Sequence, residues 1–341
     1  MKQKIKEFYN KNHKKILVIP AILLLFSVVY LGFFYYQHGE ILYKDISLTG
    51  GTTITLFSDL DSSKLSNHLK QSLSDFEIRT LSDNSGKQTQ VIITIPEEET
   101  EKIISLLEDY IGYKLNSDNS SIETTSSSLS QNFFEQLIIA VVLAFFWMSA
   151  IVFLIFAHGK MIKTWVIALN LLLGIILGNF LRSEFSMIIG GVILLVISFL
   201  LVYLYIKHSI PAFAVILCAF TDILFTLVTV NLLGMKISTA GIVAFLMLIG
   251  YSVDTDILLT SRVLKRKQSV NHEIFSSFKT GITMTMTAII AILSTLLVIY
   301  EFESVLNQIF TILLIGLGFD IFNTWITNTS IIKWYVESKG E

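Results

Sequence analysis

Charge is scarce in this chain. Of 341 residues only 15% are Asp, Glu, Lys or Arg, against about 25% in a typical soluble domain. Hydrophobic residues make up 53% and the mean hydropathy is +0.67. That balance excludes an ordinary soluble protein and points to one that lives in a membrane. Cysteine is almost absent: Cys218 stands alone in an apolar run, so no intrachain disulfide can form and any exported part must fold without one. The six histidines, His13, His38, His68, His158, His208 and His272, are scattered without metal-ligand spacing, so no metal site is expected. There is no Walker A sequence, no Gly-x-Gly-x-x-Gly after a strand and no hydrolase elbow, so neither a cofactor nor an enzyme is expected. The net charge of −2, with no basic cluster interleaved with aromatics outside the loops, gives no reason to expect a nucleic-acid partner.

What the chain does have is long apolar runs. Eight lie at about 16–36, 133–156, 164–181, 185–206, 210–233, 237–260, 281–300 and 304–332, and they read as membrane-crossing helices. The first follows a basic stretch of Lys2, Lys4, Lys6, Lys11, Lys14 and Lys15. It is longer than the roughly 7–15 apolar residues of a signal peptide, and no small-x-small cleavage site follows it, so it reads as an uncleaved first span. Lysines and arginines mark alternate loops: Lys160 and Lys163, Lys207, the run Arg262 to Lys267 with Lys279, and Lys333 with Lys339. The intervening loops hold Arg182 with Glu184, Lys236 alone, and Glu301 with Glu303. The asymmetry predicts both termini in the cytoplasm of a multi-pass cell-membrane protein. The division that follows is 1–36 for the N-terminus and first helix, 37–132 outside, 133–332 for the bundle and 333–341 for a cytoplasmic tail.

Residues 37–132 are too patterned for a linker. Ile46 to Phe57 is rich in β-branched residues and predicts a strand. Asp61-Ser62-Ser63 predicts the cap of a helix from about Lys64 to Leu73. Strands are predicted at Phe76 to Leu81 and Val91 to Ile95, with a turn at Asp83-Asn84-Ser85-Gly86 between them. Glu97 to Ile111 reads as a helix with acids in its first turn. An extended stretch from Tyr113 to Thr125 closes a β-α-β-β-α-β unit in the ferredoxin-like order, and Thr124 to Ser130 reads as a Ser-rich link to the second span. A passive spacer is the plainer reading of so small a domain.

The most informative stretch is Gly250-Tyr251-Ser252-Val253-Asp254-Thr255-Asp256, because it puts two acids into a membrane span. An ionised Asp in hydrocarbon costs several kcal/mol, so such residues face a bundle interior, a partner or water. Two residues apart on a helix, Asp254 and Asp256 point about 200° from each other and cannot share one site. One is expected to face a neighbouring span and the other a second interface. The plainer alternative is that both pair with the basic loop and anchor the helix end. Asp222 lies near the middle of its span and Asp320 is central in the last, followed by Asn323 and Thr324. Each is a candidate proton-relay acid, or alternatively a neutral group tying helices together. No arginine is central in any span. Thr255 can satisfy backbone, and Arg262 reads most simply as a snorkelling interfacial cation. Gly174 with Gly178, Gly190-Gly191, and Gly316 with Gly318 read as close-packing positions, and Asn271 to Phe278 as a short interfacial helix before the seventh span.

Several of these segments resemble one family. Thr49-Gly50-Gly51-Thr52 in the external domain, Ala219-Phe220-Thr221-Asp222-Ile223 in one span, and Ile249 to Asp256 followed by Ser261-Arg262-Val263-Leu264-Lys265-Arg266 in the next are similar to the SecF family. These are protein-export membrane subunits of the resistance-nodulation-division superfamily. The Val-Asp-Thr-Asp form and the tail Leu314 to Asp320, with Asn323-Thr324-Trp325, resemble archaeal members. The resemblance implies a SecD partner, association with the Sec translocon channel, contact of the external domain with unfolded exported polypeptide, and, as in bacterial relatives, proton flow driving that domain. On that reading Asp222, Asp254, Asp256 and Asp320 are the ionisable elements, Thr255 and Arg262 support them, and Thr49, Gly50 and Gly51 form the external turn. Three departures stand out. The family usually has six spans, so a hydrophobic hairpin within 160–206 is surplus. Bacterial members carry an Asn-Asp pair where Asp254-Thr255 stands. The Asp that precedes the Thr-Gly-Gly turn is here Ser47, with Asp45 nearby. The alternatives are a small-solute or lipid exporter of the same superfamily, which usually carries two repeated halves, and a passive scaffold whose acids never change charge.

Overall fold

The structure, a computed structural model, describes residues 12–73, 76–82, 88–181, 187–299 and 305–339. The predicted turns at Asp83–Gly86 and Arg182–Glu184, the acids Glu301 and Glu303, and the first four lysines lie outside the described residues. Among the described residues, eight helices are long and apolar enough to cross a membrane, so the chain is a multi-pass helical membrane protein carrying a small α+β domain.

The first span, α1 (Val18–His38), ends at Gly39 in the left-handed conformation. Residues 41–45 then strap the chain to the bundle. The Asp45 amide donates to the Ile237 carbonyl at 2.9 Å, the Ile237 amide donates back to Tyr43 at 2.7 Å, and Asn231 Nδ2 donates to the Ile41 carbonyl at 2.8 Å. The strand predicted from Ile46 starts only at Gly51, because Ile46–Thr49 is a single helical turn. The strap explains the correction: with Asp45 held on Ile237, the Leu48 and Thr49 amides turn back to the Asp45 carbonyl. Gly50 has φ +88°, in the left-handed region where a side chain costs about 1–2 kcal/mol. Gly50→Val is expected to lower the thermal unfolding temperature of the detergent-solubilised chain, whereas Thr49→Val leaves it nearly unchanged.

The domain is built from β1 (Gly51–Leu56), α2 (Ser62–Leu69), β2 (Glu77–Ser82), β3 (Gln88–Ile95), α3 (Thr100–Ile111, after a 3-10 turn) and β4 (Ser120–Thr125). The sheet order is β2-β3-β1-β4, antiparallel throughout, which is the ferredoxin-like arrangement expected from the element order. Alternation explains the core: Ile54, Leu56, Val91, Ile93 and Ile95 point inward and meet Leu65, Leu69, Ile103 and Leu107 of the two helices. Asp61 caps α2, accepting from the Ser63 and Lys64 amides, so the helix begins at Ser62 and stops at Leu69, short of the expected Leu73. The Ser-rich link is not a linker. β4 runs to Thr125, and Ser126 caps the next helix by accepting from the Leu129 amide.

The remaining spans are α4 (Ser127–Phe156), α5 (Lys160–Leu181), α6 (Met187–His208), α7 (Ile210–Leu232), α8 (Thr239–Leu264), α9 (Val270–Ile299) and α10 (Val305–Phe322). The last helix widens into a π-turn (Asn323–Asn328) and ends as α11 (Thr329–Ser338). The segment expected as a separate helix at Asn271 to Phe278 is the first part of α9. The last span also runs past the expected 332. Lys333, which reads as a loop cation, is buried; its Nζ donates to Asn271 Oδ1 of α9 at 2.9 Å, so a helix can carry it inside.

Burial separates the spans. α7 and α8 have 56% of their apolar windows buried, against 6% for α9, so α7 and α8 are the centre of the bundle. The surplus hairpin α5–α6 packs on α4 and α7 through Val166, Leu173, Leu201 and Tyr205. Tyr205 locks it: its hydroxyl donates to the Ser149 carbonyl at 3.0 Å and accepts from Asn170 Nδ2 at 3.1 Å. Gly174 lets α5 approach Leu143 of α4.

Candidate functional site

Each of the three central helices brings one acid to the same interior volume. Asp222 of α7, Asp256 of α8 and Asp320 of α10 are each no more than 1% exposed. The three carboxyls lie within electrostatic range of one another. Among the described residues, no ion pair joins any of them to a cation.

The local sequence positions each one. Ser209 caps α7 and Pro211 sits in its first turn, so Asp222 falls at mid-helix. Ser252 of α8 donates to Asp222 Oδ2 at 2.6 Å, and Asn323 Nδ2 of the π-turn donates to Oδ1 at 2.6 Å. Asn328, at the other end of the π-turn, donates to Asp256 Oδ1 at 2.8 Å. Asn323 thus reaches α7, while Asn328, five residues on at the far end of the π-turn, reaches α8. A single π-turn inside an α-helix is a feature concentrated at functional sites. Thr324 donates to Asp320 Oδ1 at 3.3 Å and Thr327 to Asn323 Oδ1 at 3.1 Å.

Two carboxyl oxygens are left over. Asp256 Oδ2 and Asp320 Oδ2 are buried without a hydrogen-bond partner, although the Thr324 hydroxyl stands near Asp256 and the Thr285 hydroxyl of α9 near Asp320. A buried acceptor with no donor costs about 1–3 kcal/mol, more when charged, and such an atom asks for an explanation. Three carboxylates side by side without a countercharge would each cost several kcal/mol; a proton on one or more removes much of that cost. Chemically, carboxyls beside the hydroxyls of Ser252, Thr285 and Thr324 are groups that can bind and release protons.

The remaining expected site residues lie elsewhere. Asp254 is exposed on the opposite face of α8, as the 200° separation requires. Buried Thr255 donates to the Tyr251 carbonyl at 3.4 Å. Arg262 is half-buried and donates to Thr280 Oγ1 of α9 at 3.1 Å, away from the acids. Thr49, Gly50 and Gly51 turn the chain into β1, far along the fold from the cluster. In the sequence Asn323 and Thr324 stand out as followers of Asp320 and as part of the family-like tail, while Ser252 and Asn328 carry no predicted role. The signal was a polar stripe on one helix, Asp320, Thr324, Thr327 and Asn328, at three- and four-residue spacing.

The ends of the acid-bearing helices meet the sheet domain. Gln308 of α10 donates to the Lys236 carbonyl at 2.5 Å and accepts from the amide and hydroxyl of Ser238, the cap of α8. Above them is a cleft of about 380 Å³ lined by Asp45, Glu77, Arg79, Lys236 and Gln308. Arg79 donates to Glu77 Oε1 at 2.7 and 2.9 Å and lies 3.7 Å from Asp45 Oδ2, so one guanidinium of the sheet domain serves two acids. Burial and the Asp45 carboxylate push the Glu77 carboxyl above its ordinary value, against the pull of Arg79.

Residues 173–338 match the family model described as "Protein export membrane protein SecD/SecF, C-terminal". The chain is 32% identical to the protein-export membrane protein SecF of Methanocaldococcus jannaschii over 96% of each chain. It is 25% identical to the SecF of Pyrococcus furiosus over 99% of this chain and 96% of that one. In fold it is similar to SecDF of Thermus thermophilus, a translocon-associated membrane protein, with a TM-score of 0.54 at 15% identity over 96% of this chain and 38% of that longer one. By the extent of its likeness to the archaeal proteins, the chain belongs to the SecF family of protein-export membrane proteins.

Proposed function

We propose that this chain is a non-enzymatic auxiliary subunit of Sec-dependent protein translocation. It acts with SecD beside the translocon channel on late steps of polypeptide export, with the proton gradient as its energy source. Family membership supports the role. The observation that carries the mechanism is the set Asp222, Asp256 and Asp320, buried together with two carboxyl oxygens that no donor meets. Proton entry or exit changes the charge of this set, and with it the preferred spacing of α7, α8 and α10. Ser238 and Gln308 carry that change along the helices to the sheet domain. There residues 37–132, on the outer side with both termini cytoplasmic, hinder backsliding of emerging chain. The direct test is affinity purification of the tagged chain from native membranes. SecD and the translocon channel are expected to co-purify. Their absence, with solute transport by the chain alone in liposomes, would favour the exporter reading instead.

The Asp45–Arg79–Glu77 junction is then the joint between bundle and domain, and Lys236 also lines it. An acid whose value is raised in the docked state binds its proton more readily there. Its unfavourable effect is absent below the ordinary glutamate value and complete above the raised one, so docking strengthens as pH falls through that interval. Spin labels on the sheet domain and the α7–α8 loop are expected to report a shorter distance at lower external pH. Glu77→Gln should abolish that dependence, and its persistence would remove Glu77 from the joint.

A further inference from the structure

At the end of the bundle remote from the sheet domain, α1, α7 and α11 enclose an apolar groove of about 530 Å³, within the usual size range of small-molecule sites. We propose that this groove binds one acyl chain of an anionic membrane lipid, with the lipid's charged headgroup at Lys14 and Lys339.

The walls set the tail chemistry. Pro20, Ala21, Leu24, Phe213, Leu217 and Ile331 are apolar, and the deepest polar residues offer nothing to a polar ligand. Thr221 spends its hydroxyl on the Leu217 and Cys218 carbonyls, and Thr327 donates to Asn323. All the walls belong to membrane-crossing segments, so hydrocarbon is the medium at the opening.

The rim sets the headgroup. Two aromatic rings that line the groove, Trp334 and Tyr335, each carry a lysine ammonium: Lys14 Nζ is 5.3 Å from the Trp334 ring centre and Lys339 Nζ 4.8 Å from that of Tyr335. Cation–π contact holds both cations at the opening, and exposed Lys15 adds a third. The acid there among the described residues, Glu337, is engaged by His13 at 3.2 Å and lies 4.0 Å from Lys333. An apolar cleft rimmed by lysines complements an amphiphile whose head is negative. The groove's inner wall also touches the acid cluster, because Thr327 bonds Asn323 and Asn323 bonds Asp222.

The test is native mass spectrometry of the delipidated full chain, titrated with dioleoylphosphatidylglycerol or dioleoylphosphatidylcholine. The wild type is expected to hold one phosphatidylglycerol more tightly than phosphatidylcholine, by roughly fivefold for each lysine engaged. Lys14→Gln with Lys339→Gln should erase that preference while leaving a one-to-one phosphatidylcholine adduct, and Ala21→Phe should remove both adducts. These lysines are exposed, so their variant keeps the test decisive if Ala21→Phe fails to accumulate. Equal binding of the two lipids by the wild type, or a preference unchanged in the lysine variant, would overturn the proposal. So would cross-linking of Ala21→Cys in native membranes to another protein chain.

Discussion

Asp256→Asn is expected to reduce export on the order of tenfold, within the range of coupling between linked sites, whereas Asp254→Asn leaves it unchanged. The two residues are separated by one threonine and read alike in the sequence, yet the fold treats them oppositely. Asp256 is fully buried against Asn328, and Asp254 is exposed on the other face. Asparagine keeps the size of aspartate, and its carbonyl can still accept from Asn328. Its amide would occupy the place of Oδ2, where the nearby Thr324 hydroxyl can accept from it. Any loss of stability from the new donor would register in the amount of folded protein in membranes. The loss of export should exceed any loss of folded protein, because asparagine cannot exchange a proton. Pulse-chase secretion normalised to membrane content measures both. Equal defects in the two variants would mean that burial on α8 has nothing to do with the mechanism.

The second large effect is steric. A Cβ built on Gly316 of α10 would lie 2.5 Å from both Cδ atoms of Leu248 and 3.0 Å from its Cγ. Leu248 is fully buried in the cluster with Val230, Ile237, Phe245 and Ile312, so its methyl groups cannot swing aside. Gly316→Val therefore forces α8 and α10 apart. The expected destabilisation is about 1–3 kcal/mol, as for overpacked cores generally. Leu248→Ala should relieve it, so the double variant should unfold nearer the wild-type temperature than additivity allows. Asp320 lies one helical turn beyond Gly316 and Asp256 two turns beyond Leu248, so the same separation should also lower export. A Gly316→Val protein with wild-type stability and export would contradict this packing.

Much of the fold was legible because it depends on local pattern. β-branched content marked β1, and Val91 to Ile95 was predicted as a strand; the structure turns Ile54, Val91, Ile93 and Ile95 inward, and long apolar runs marked the eight spans. Errors arose where a distant partner decides. Ile46–Thr49 looks like a strand by composition, but the bond between Asp45 and Ile237, nearly two hundred residues on, turns it into a helical bend. Lys333 looks like the end of a span, yet Asn271 of another helix receives it. The site divides the same way. Helix geometry alone separates Asp254 from Asp256, and mid-span position singles out Asp222 and Asp320. It cannot say that Ser252 and Asn323 grip one acid and Asn328 another, because that follows from the register of α7, α8 and the π-turn across three interfaces.

The central claim is that the interior carboxyls change protonation. Infrared difference spectroscopy of the chain reconstituted in bilayers, titrated from acid to alkaline pH, tests it most directly. The account predicts a protonated-carboxyl C=O band that disappears as pH rises and that is diminished in Asp222→Asn, Asp256→Asn and Asp320→Asn but retained in Asp254→Asn. A spectrum with no such band, or one untouched by these three substitutions, would contradict it.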